Sequence, residues 1–116
     1  MQKNEELQIQ AAVVDYFEIN KILIFSVPNG QNIPHPVTRA LLKESGLRAG
    51  VSDLIAVLDG EVVFIEMKTK TGRQRPEQKE FEAAVKARGF EYVIFRSVSD
   101  AEKWLLERKA AGKATR

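Results

Sequence analysis

The sequence predicts an α/β domain with a mixed sheet of about four strands flanked by helices. Two apolar, β-branched runs flank Asp59-Gly60, so residues 50–68 have the pattern of a β-hairpin. Shorter apolar runs that are typical of strands lie at 21–27 and 91–95, and helix-like segments separate them. The resulting order of elements is α-β-α-β-β-α-β-α, with the hairpin in the middle of the chain.

The composition limits the class of protein. A chain of 116 residues with 44% hydrophobic and 29% charged residues is ordinary for one globular domain, which we expect over 1–108, before a basic, frayed tail at 109–116. The net charge of +2 permits a nucleic-acid partner, and the absence of cysteine excludes disulfides and thiolate metal sites. No apolar run approaches the roughly 20 residues of a membrane span, and the N-terminus lacks the apolar core of a signal peptide. We therefore expect a cytoplasmic protein.

The first half of the chain contains two predicted helices. Apolar residues recur at helical spacing over 4–18, with Asn4 as the expected N-cap. The first strand ends at Pro28, and three prolines make 28–36 a loop. A short helix over 37–44 then leads towards the hairpin.

The second half of the chain contains two further helices. Pro76 suits the first position of a helix that runs to about Arg88, with Gly89 as its stop. Ser99 and Glu102 have the spacing of a capping box, which predicts a last helix over residues 101–109.

The hairpin places three charged side chains together. Asp59-Gly60 suits a type I′ turn, in which Leu58 pairs with Glu61. Asp53 then lies opposite Glu66, with Cβ atoms roughly 4.5–5.5 Å apart. Because side chains alternate along a strand, Lys68 shares the face of Glu66. The opposite, core-facing side of this strand carries Val63, Ile65 and Met67.

Two carboxylates placed so close repel each other, and a divalent cation between them converts the repulsion into coordination. Taken singly, Asp53 and Glu66 read as ordinary surface carboxylates. Their coincidence with Lys68 on one face favours a metal site with an ammonium group beside it.

Other candidates have a functional and a plain structural interpretation. Gln78, on the first turn of a helix, either reaches this edge of the sheet or is a solvated helix residue, and Glu6 on the first helix has the same two interpretations. The basic loop residues Lys70, Arg73 and Arg75 either contact phosphates or are simply solvated. The single histidine, His35, lies between two prolines and is interpreted as a surface residue, because one histidine makes no zinc cluster.

The residues around this site resemble a known family. Gly50-Val51-Ser52-Asp53, followed after twelve residues by Glu66-Met67-Lys68, resembles the PD-(D/E)xK nuclease motif and, more narrowly, the VRR-NUC (virus-type replication-repair nuclease) branch. The resemblance extends over roughly residues 5–105, through segments 6–10, 28–30, 46–50, 69–78 and 95–97. One departure is Ser52, where the broad motif has a proline that shapes the backbone rather than the chemistry.

The resemblance implies a restriction-endonuclease-like core and a phage- or bacterium-encoded, metal-dependent DNA endonuclease. It implies that Mg²⁺ or Mn²⁺ is held by Asp53, Glu66 and the main-chain carbonyl of Met67. Lys68 would orient or deprotonate the attacking water. The resemblance also implies two assisting residues, Glu6 and Gln78, and a DNA contact at Asn29. The closeness of the basic loop to the acidic pair favours the other expected DNA contacts, Lys70, Arg73 and Arg75.

The expected working form is a homodimer that resolves four-way (Holliday) DNA junctions. One small domain has one site and cuts one strand, whereas resolution needs two symmetric cuts, which a two-fold pair provides. The resemblance points the same way, and apolar residues at 22–25 and 41–42 offer a self-complementary patch. The alternatives are a nuclease that acts on flaps or single strands, a catalytically silent nucleic-acid-binding domain, and a hairpin that serves only protein interaction.

Overall fold

The computed structural model describes residues 2–28 and 34–112, with side chains from residue 5 onward. Its helices are α1 (Gln2–Ile19), α2 (Pro36–Glu44), α3 (Pro76–Ala87) and α4 (Val98–Ala110). Its strands are β1 (Leu23–Ser26), β2 (Leu54–Leu58), β3 (Glu61–Met67) and β4 (Glu91–Phe95). The predicted order of elements and the mixed four-stranded sheet are confirmed.

The sheet has the order β1-β2-β3-β4, and the pairing changes direction at its last strand. The pairs β1–β2 and β2–β3 are antiparallel, whereas β4 runs parallel to β3. A parallel neighbour needs a crossover connection, which α3 provides between β3 and β4. The carboxyl ends of β3 and β4 therefore lie side by side.

The hairpin has the predicted register but a different turn. Leu58 pairs with Glu61 and Leu54 with Ile65, so Asp53, one step beyond, lies opposite Glu66 as predicted. Gly60 has φ +73°, but among the described non-glycine residues Lys21 alone has a positive φ. A type I′ turn needs positive φ at both central residues, so that prediction is wrong. Only Gly60 supplies the left-handed conformation.

The two faces of the sheet have different roles. One face packs against α1 and α4, whose buried residues Phe17 and Leu105 join a core cluster with Val63, Ile65 and Met67 of β3. These three β3 residues are fully buried, as predicted. The other face carries the alternate residues of β3 and lies against α3, where the ring of Phe81 contacts the ring of Phe64 with 5.8 Å between centroids.

The last helix begins earlier than predicted. Its N-cap is Ser97, whose hydroxyl oxygen accepts a hydrogen bond from the Asp100 N–H at 3.1 Å. The Asp100 carboxylate accepts in return from the Arg96 N–H at 2.8 Å. Ser97 is in the extended conformation that an N-cap requires, so the prediction based on Ser99 is wrong.

At its other end the last helix continues through Ala110. The helix thus extends one residue beyond the predicted end at Lys109, and residues 113–116 lie outside the described part of the chain. None of the helices described here is long and apolar enough to cross a membrane.

The predicted apolar patch at 22–25 is divided between the two faces of the edge strand. Ile22 and Ile24 are buried in the core, whereas Leu23 and Phe25 are exposed. Helix α2 has no buried residue, and its Val37, Leu41 and Leu42 side chains face solvent. Within the described residues, β1 and α2 thus each present exposed apolar side chains, as do Leu7, Ile19, Phe90 and Leu106 elsewhere.

Candidate functional site

Asp53 is held at the end of the hairpin by two main-chain hydrogen bonds. Its carbonyl accepts from the Val27 N–H at 3.0 Å, which extends the β1–β2 pairing by one residue. One carboxylate oxygen, Oδ2, accepts from the Met67 N–H at 2.7 Å. The carboxylate is therefore fixed against β3, on the strand that carries the other predicted site residues.

Glu66 is fully buried, and its two carboxylate oxygens have different environments. Oε1 accepts hydrogen bonds from the Tyr92 hydroxyl and from Gln74 Nε2, the latter at 3.0 Å. Oε2 is buried and has no hydrogen-bond partner, and its nearest cation is Lys68 Nζ at 3.6 Å. One oxygen is thus anchored, while the other remains available to a ligand.

Lys68 follows β3 directly and is almost fully buried. Its N–H donates to the Phe95 carbonyl at 3.0 Å, which continues the parallel pairing beyond the last residue of each strand. This hydrogen bond fixes the backbone from which the side chain extends towards Glu66. The predicted placement of an ammonium group beside the carboxylates is present in the structure.

Burial and neighbouring carboxylates raise the pKa of two carboxyl groups near the site, Asp53 and Glu6. Burial raises the pKa of Asp53, the Met67 N–H opposes that shift, and the charge of Glu66 adds to it. Burial also raises the pKa of Glu6 on α1, and the charges of Asp53 and Glu66 raise it further. Helix α1 therefore brings Glu6 into the same electrostatic field, with Lys68 opposing these shifts in both groups.

Gln78 is buried on the first turn of α3, where its side chain stabilises the start of the helix. Its Oε1 accepts from the Arg75 N–H at 2.8 Å. The positive charge of Arg75 in turn lowers the pKa of Asp53 and Glu6, although burial dominates in both. The contact with Glu66 is made instead by Gln74, which precedes the helix.

The approach of α3 to the hairpin depends on Gly50. This residue has φ +84°, and a Cβ atom there would lie 2.3 Å from the Glu77 carbonyl oxygen. Only glycine allows the backbone to pass this close to the first turn of α3. The Gly50-to-Asp53 segment and the helix that carries Gln78 are therefore positioned together.

The basic loop between β3 and α3 is held by an arginine from the end of β4. The Arg96 guanidinium donates to the carbonyls of Gly72 and Thr69 at 2.7 and 2.8 Å. Lys70 and Arg73 are exposed, so their charges face solvent. Arg75 is half-buried and pairs with Glu77 at 3.3 Å. Asn29, the other predicted DNA contact, lies outside the described residues.

The donor groups of this site fit a hard divalent cation. Glu66 offers a buried oxygen without a hydrogen bond, and Asp53 offers a second carboxylate. Within a strand the N–H and C=O of one residue point to the same side, so the Met67 carbonyl faces Asp53 as its N–H does. No cluster of three or more acidic, histidine or cysteine residues within ion-binding distance occurs in the described ranges, so water and substrate would supply the remaining ligands.

The sequence did not predict that Gln74 and Tyr92 contact Glu66. It also did not predict that Arg96 holds the basic loop. Tyr92 is recognisable only once β4 is known to pair in parallel with β3, because that register places it beside Phe64 on the face of Glu66. Burial and the Glu66 hydrogen bond raise the pKa of Tyr92, so the hydroxyl stays protonated and acts as the donor.

The repulsion between the carboxylates leads to a prediction about the metal-free protein. Asp53→Asn keeps an oxygen acceptor for the Met67 N–H and removes the charge, so it should raise the unfolding temperature measured in EDTA at neutral pH. The free energy of unfolding should rise by about 0.2–1 kcal/mol, the magnitude found for directly opposed cross-strand pairs. Asp53→Ala removes the acceptor as well and should lower stability by about 1–3 kcal/mol.

The pH dependence of this difference has a defined sign. Because the folded pKa of Asp53 is raised, the native protein binds its proton more tightly than the unfolded chain does. Asp53 therefore lowers the free energy of unfolding increasingly as the pH rises from the ordinary aspartate pKa of 3.8 through the raised pKa of the folded protein. The advantage of Asp53→Asn should disappear in acid. An advantage that persists unchanged at low pH would contradict the repulsion argument.

Comparison with known proteins identifies the family. The model of the VRR-NUC domain matches residues 4–99. A solved structure described as a VRR_NUC domain is 20% identical, with a TM-score of 0.66 over 86% of this chain and 92% of that one. A second, described as a VRR_NUC domain protein, is also 20% identical, with a TM-score of 0.73 over 93% and 90% of the two chains. No curated protein sequence matches significantly.

At 20% identity the two solved structures demonstrate a shared fold, and the family model adds a match in sequence over most of the chain. The fold is the mixed sheet with flanking helices described above, and the matched segment includes Asp53, Glu66 and Lys68. The chain therefore belongs to the VRR-NUC family of nuclease domains and has the restriction-endonuclease-like fold of that family.

Proposed function

We propose that the protein is a metal-dependent DNA endonuclease that hydrolyses phosphodiester bonds. The observation that carries this proposal is the environment of Glu66. One of its oxygens is anchored by Tyr92 and Gln74, and the other is buried without a hydrogen bond, 3.6 Å from the Lys68 ammonium. A fully buried carboxylate costs free energy, so an oxygen left without a donor indicates a site shaped for a cation.

Asp53, Glu66 and the Met67 carbonyl would hold Mg²⁺ or Mn²⁺, because hard cations prefer oxygen ligands. When bound, such an ion stabilises negative charge on the phosphate and polarises it for attack. The two carboxylates are fixed in advance, Asp53 by the Met67 N–H and Glu66 by its two donors. This preorganisation avoids reorganising the site during the reaction.

Lys68 would act on the attacking water and on the phosphate. In hydrolysis the water oxygen forms a bond to phosphorus, the bond to one bridging oxygen breaks, and that oxygen takes up a proton. The ammonium group offsets the developing negative charge, and a neutral Lys68 amine could accept the proton of the water. Glu6 and Gln78 would assist by position: Glu6 shares the electrostatic field of the site, and Gln78 fixes the start of α3.

The exposed cations Lys70 and Arg73 would contact DNA phosphates. The loop that carries them is held by Arg96, and this reduces the entropy lost when they bind. Arg75 would contribute mainly through its charge near Asp53 and Glu6. Asn29 remains a proposed contact on the basis of the resemblance alone.

The finer proposal is a homodimer that resolves four-way junctions. Each chain has one site, and symmetric cutting of two strands requires two of them. Exposed apolar side chains on the edge strand β1 (Leu23, Phe25) and on α2 (Val37, Leu41) offer a surface for a second copy. The alternatives are a nuclease for flaps or single strands and a silent DNA-binding domain. The presence of Asp53, Glu66 and Lys68 in one cluster disfavours the silent domain.

Substitution of the three central residues tests the nuclease proposal. Asp53→Asn, Glu66→Gln and Lys68→Ala should each reduce cleavage of DNA at least about a hundredfold, in line with losing a group that positions charge or transfers a proton. Cleavage is measured with Mg²⁺, with Mn²⁺ and with EDTA, and circular dichroism verifies folding. The matched controls are the exposed Asp59→Asn, Glu80→Gln and Lys79→Ala. Near-normal cleavage by either carboxylate variant would refute the assignment.

The role of the basic loop is tested by the salt dependence of DNA binding. If Arg73 contacts a phosphate, Arg73→Ala should weaken binding and lower the log–log slope of affinity against salt by roughly one unit. Lys70→Ala should behave alike, whereas Lys103→Ala on α4, on the other side of the sheet, should leave the slope unchanged. A slope that Arg73→Ala does not alter would show that the loop is only solvated.

The dimer proposal is tested by mass and by cutting pattern. Light scattering should give about twice the chain mass of 13.1 kDa, and a labelled four-way junction should receive paired symmetric nicks at concentrations that leave plain duplex intact. Leu41→Glu should yield a monomer that still nicks one strand, because its site is complete, with Leu106→Glu on α4 as the control. A stable wild-type monomer that cuts flaps and single strands equally well would exclude the resolvase.

A further inference from the structure

A pocket lies between α3 and the sheet, on the face that also carries Glu66. The pocket has a volume of about 300 Å³, at the lower end of the range for small-molecule sites. Three aromatic rings line it: Phe64 is 5.8 Å from Phe81 and 6.3 Å from Phe90, with edge-to-face geometry in both pairs. The Phe90 side chain is 47% exposed. We call this feature the aromatic pocket, with Arg48 and Arg88 as its two charged lining residues.

The charge of the aromatic pocket indicates the kind of molecule it takes. Arg48 is exposed and lies over the Phe81 ring at 5.8 Å, and Arg88 is exposed at the end of α3. No acidic residue is among the described residues that line this pocket. The pockets beside α4 and the hairpin turn, in contrast, include Glu61, Glu91 or Glu107. A ligand with a flat apolar part and a negative charge fits this combination.

The aromatic pocket is linked to the proposed active site through a chain of side-chain contacts. Phe64 lies two residues before Glu66 on the same face of β3, which places their Cα atoms roughly 6.6 Å apart. The Phe81 ring contacts the Tyr92 ring at 6.2 Å, and the Tyr92 hydroxyl donates to Glu66. The aromatic pocket therefore lies one aromatic layer away from Glu66, within reach of another nucleotide of a DNA strand whose phosphate lies at Glu66.

We propose that the aromatic pocket receives one unpaired nucleobase of the DNA substrate, near the phosphate that is cut, with Arg48 on a flanking phosphate. This inference rests on the nuclease function proposed above and specifies its substrate. A base can stack on aromatic side chains only when it is out of the double helix, and the energy needed to unpair it is smallest where the DNA is already single-stranded or distorted. The pocket thus selects DNA with an unpaired base near the cut, such as a branch point.

The test compares DNA with and without an unpaired base. The probes are a single strand and a duplex with a one-base bulge, each carrying 2-aminopurine at the unpaired position, and a plain duplex of equal length. Binding is measured in EDTA, so that no cleavage occurs. Stacking in the pocket should quench the 2-aminopurine fluorescence of the two unpaired probes on addition of the wild-type protein.

The variants are Phe90→Ala and Arg48→Ala, both at exposed positions, with Leu106→Ala and Lys103→Ala on α4 as matched controls. Phe90→Ala should abolish the quenching and weaken binding of the unpaired probes roughly ten- to hundredfold, as expected for one stacked base. Its affinity for plain duplex should change less than twofold. Arg48→Ala should weaken binding of the unpaired probes, and Arg48→Lys should restore part of the loss by replacing the charge.

The outcomes distinguish this inference from the function on which it rests. If wild-type protein cleaves DNA through Asp53 and Glu66 but shows no quenching, or if Phe90→Ala weakens duplex binding equally, the pocket assignment is overturned and the nuclease remains. A change in oligomeric state caused by Phe90→Ala, without a change in DNA binding, would also overturn it in favour of a second copy of the chain. Failure of the wild-type protein to bind or cleave any DNA would overturn both.

Discussion

The buried carboxylate of Glu66 is the constraint on which the arrangement of this site depends. A charge removed from water must be given hydrogen-bond donors or a counter-ion, because an unpaired buried charge would destabilise the fold. Here the partners come from three different parts of the chain: Tyr92 on β4, Gln74 in the basic loop and Lys68 just after β3. The hydrogen bonds and the ion pair of Glu66 therefore hold the basic loop and the two parallel strands β3 and β4 together at the site.

The fold separates stability from chemistry by using opposite faces and ends of the sheet. The face against α1 and α4 is a closed apolar core, whereas the face against α3 carries the charged site and the aromatic pocket. The amino ends of β3 and β4 are joined by Arg108, which pairs with both Glu61 and Glu91. Their carboxyl ends are left for Lys68 and the site, the position at which ligands usually bind to parallel strands.

The proposed function would impose a cost in stability on the metal-free protein. Burial raises the pKa of both Asp53 and Glu6, and the charge of Glu66 raises both further. A structure selected for stability alone would place apolar residues here. The proposed cation would compensate the buried carboxylates, and the hydrogen bonds that anchor them would hold their oxygens in position for it. Phe90 is likewise exposed and contributes little to the core, and the proposed stacking on a ligand would account for its position.

The sequence by itself determined the hairpin and its three charged residues, because antiparallel neighbours joined by two residues have a register that follows from the turn. The positions of Asp53, Glu66 and Lys68 were predictable for this reason, as were the order of elements and the family. Two predictions were wrong. The turn is not type I′, because Asp59 has a negative φ, and α4 starts earlier than predicted, because Ser97 rather than Ser99 is its N-cap.

Only the tertiary structure decided which groups surround those three residues. Tyr92 and Arg96 reach the site through the parallel pairing of β4 with β3, which spans a long crossover and leaves no local signal of its register. Gln74, rather than Gln78, contacts Glu66, because the Arg75 N–H at the start of α3 takes the Gln78 oxygen. Contacts between segments distant in the chain are set by packing of the whole domain, and local sequence patterns do not record them.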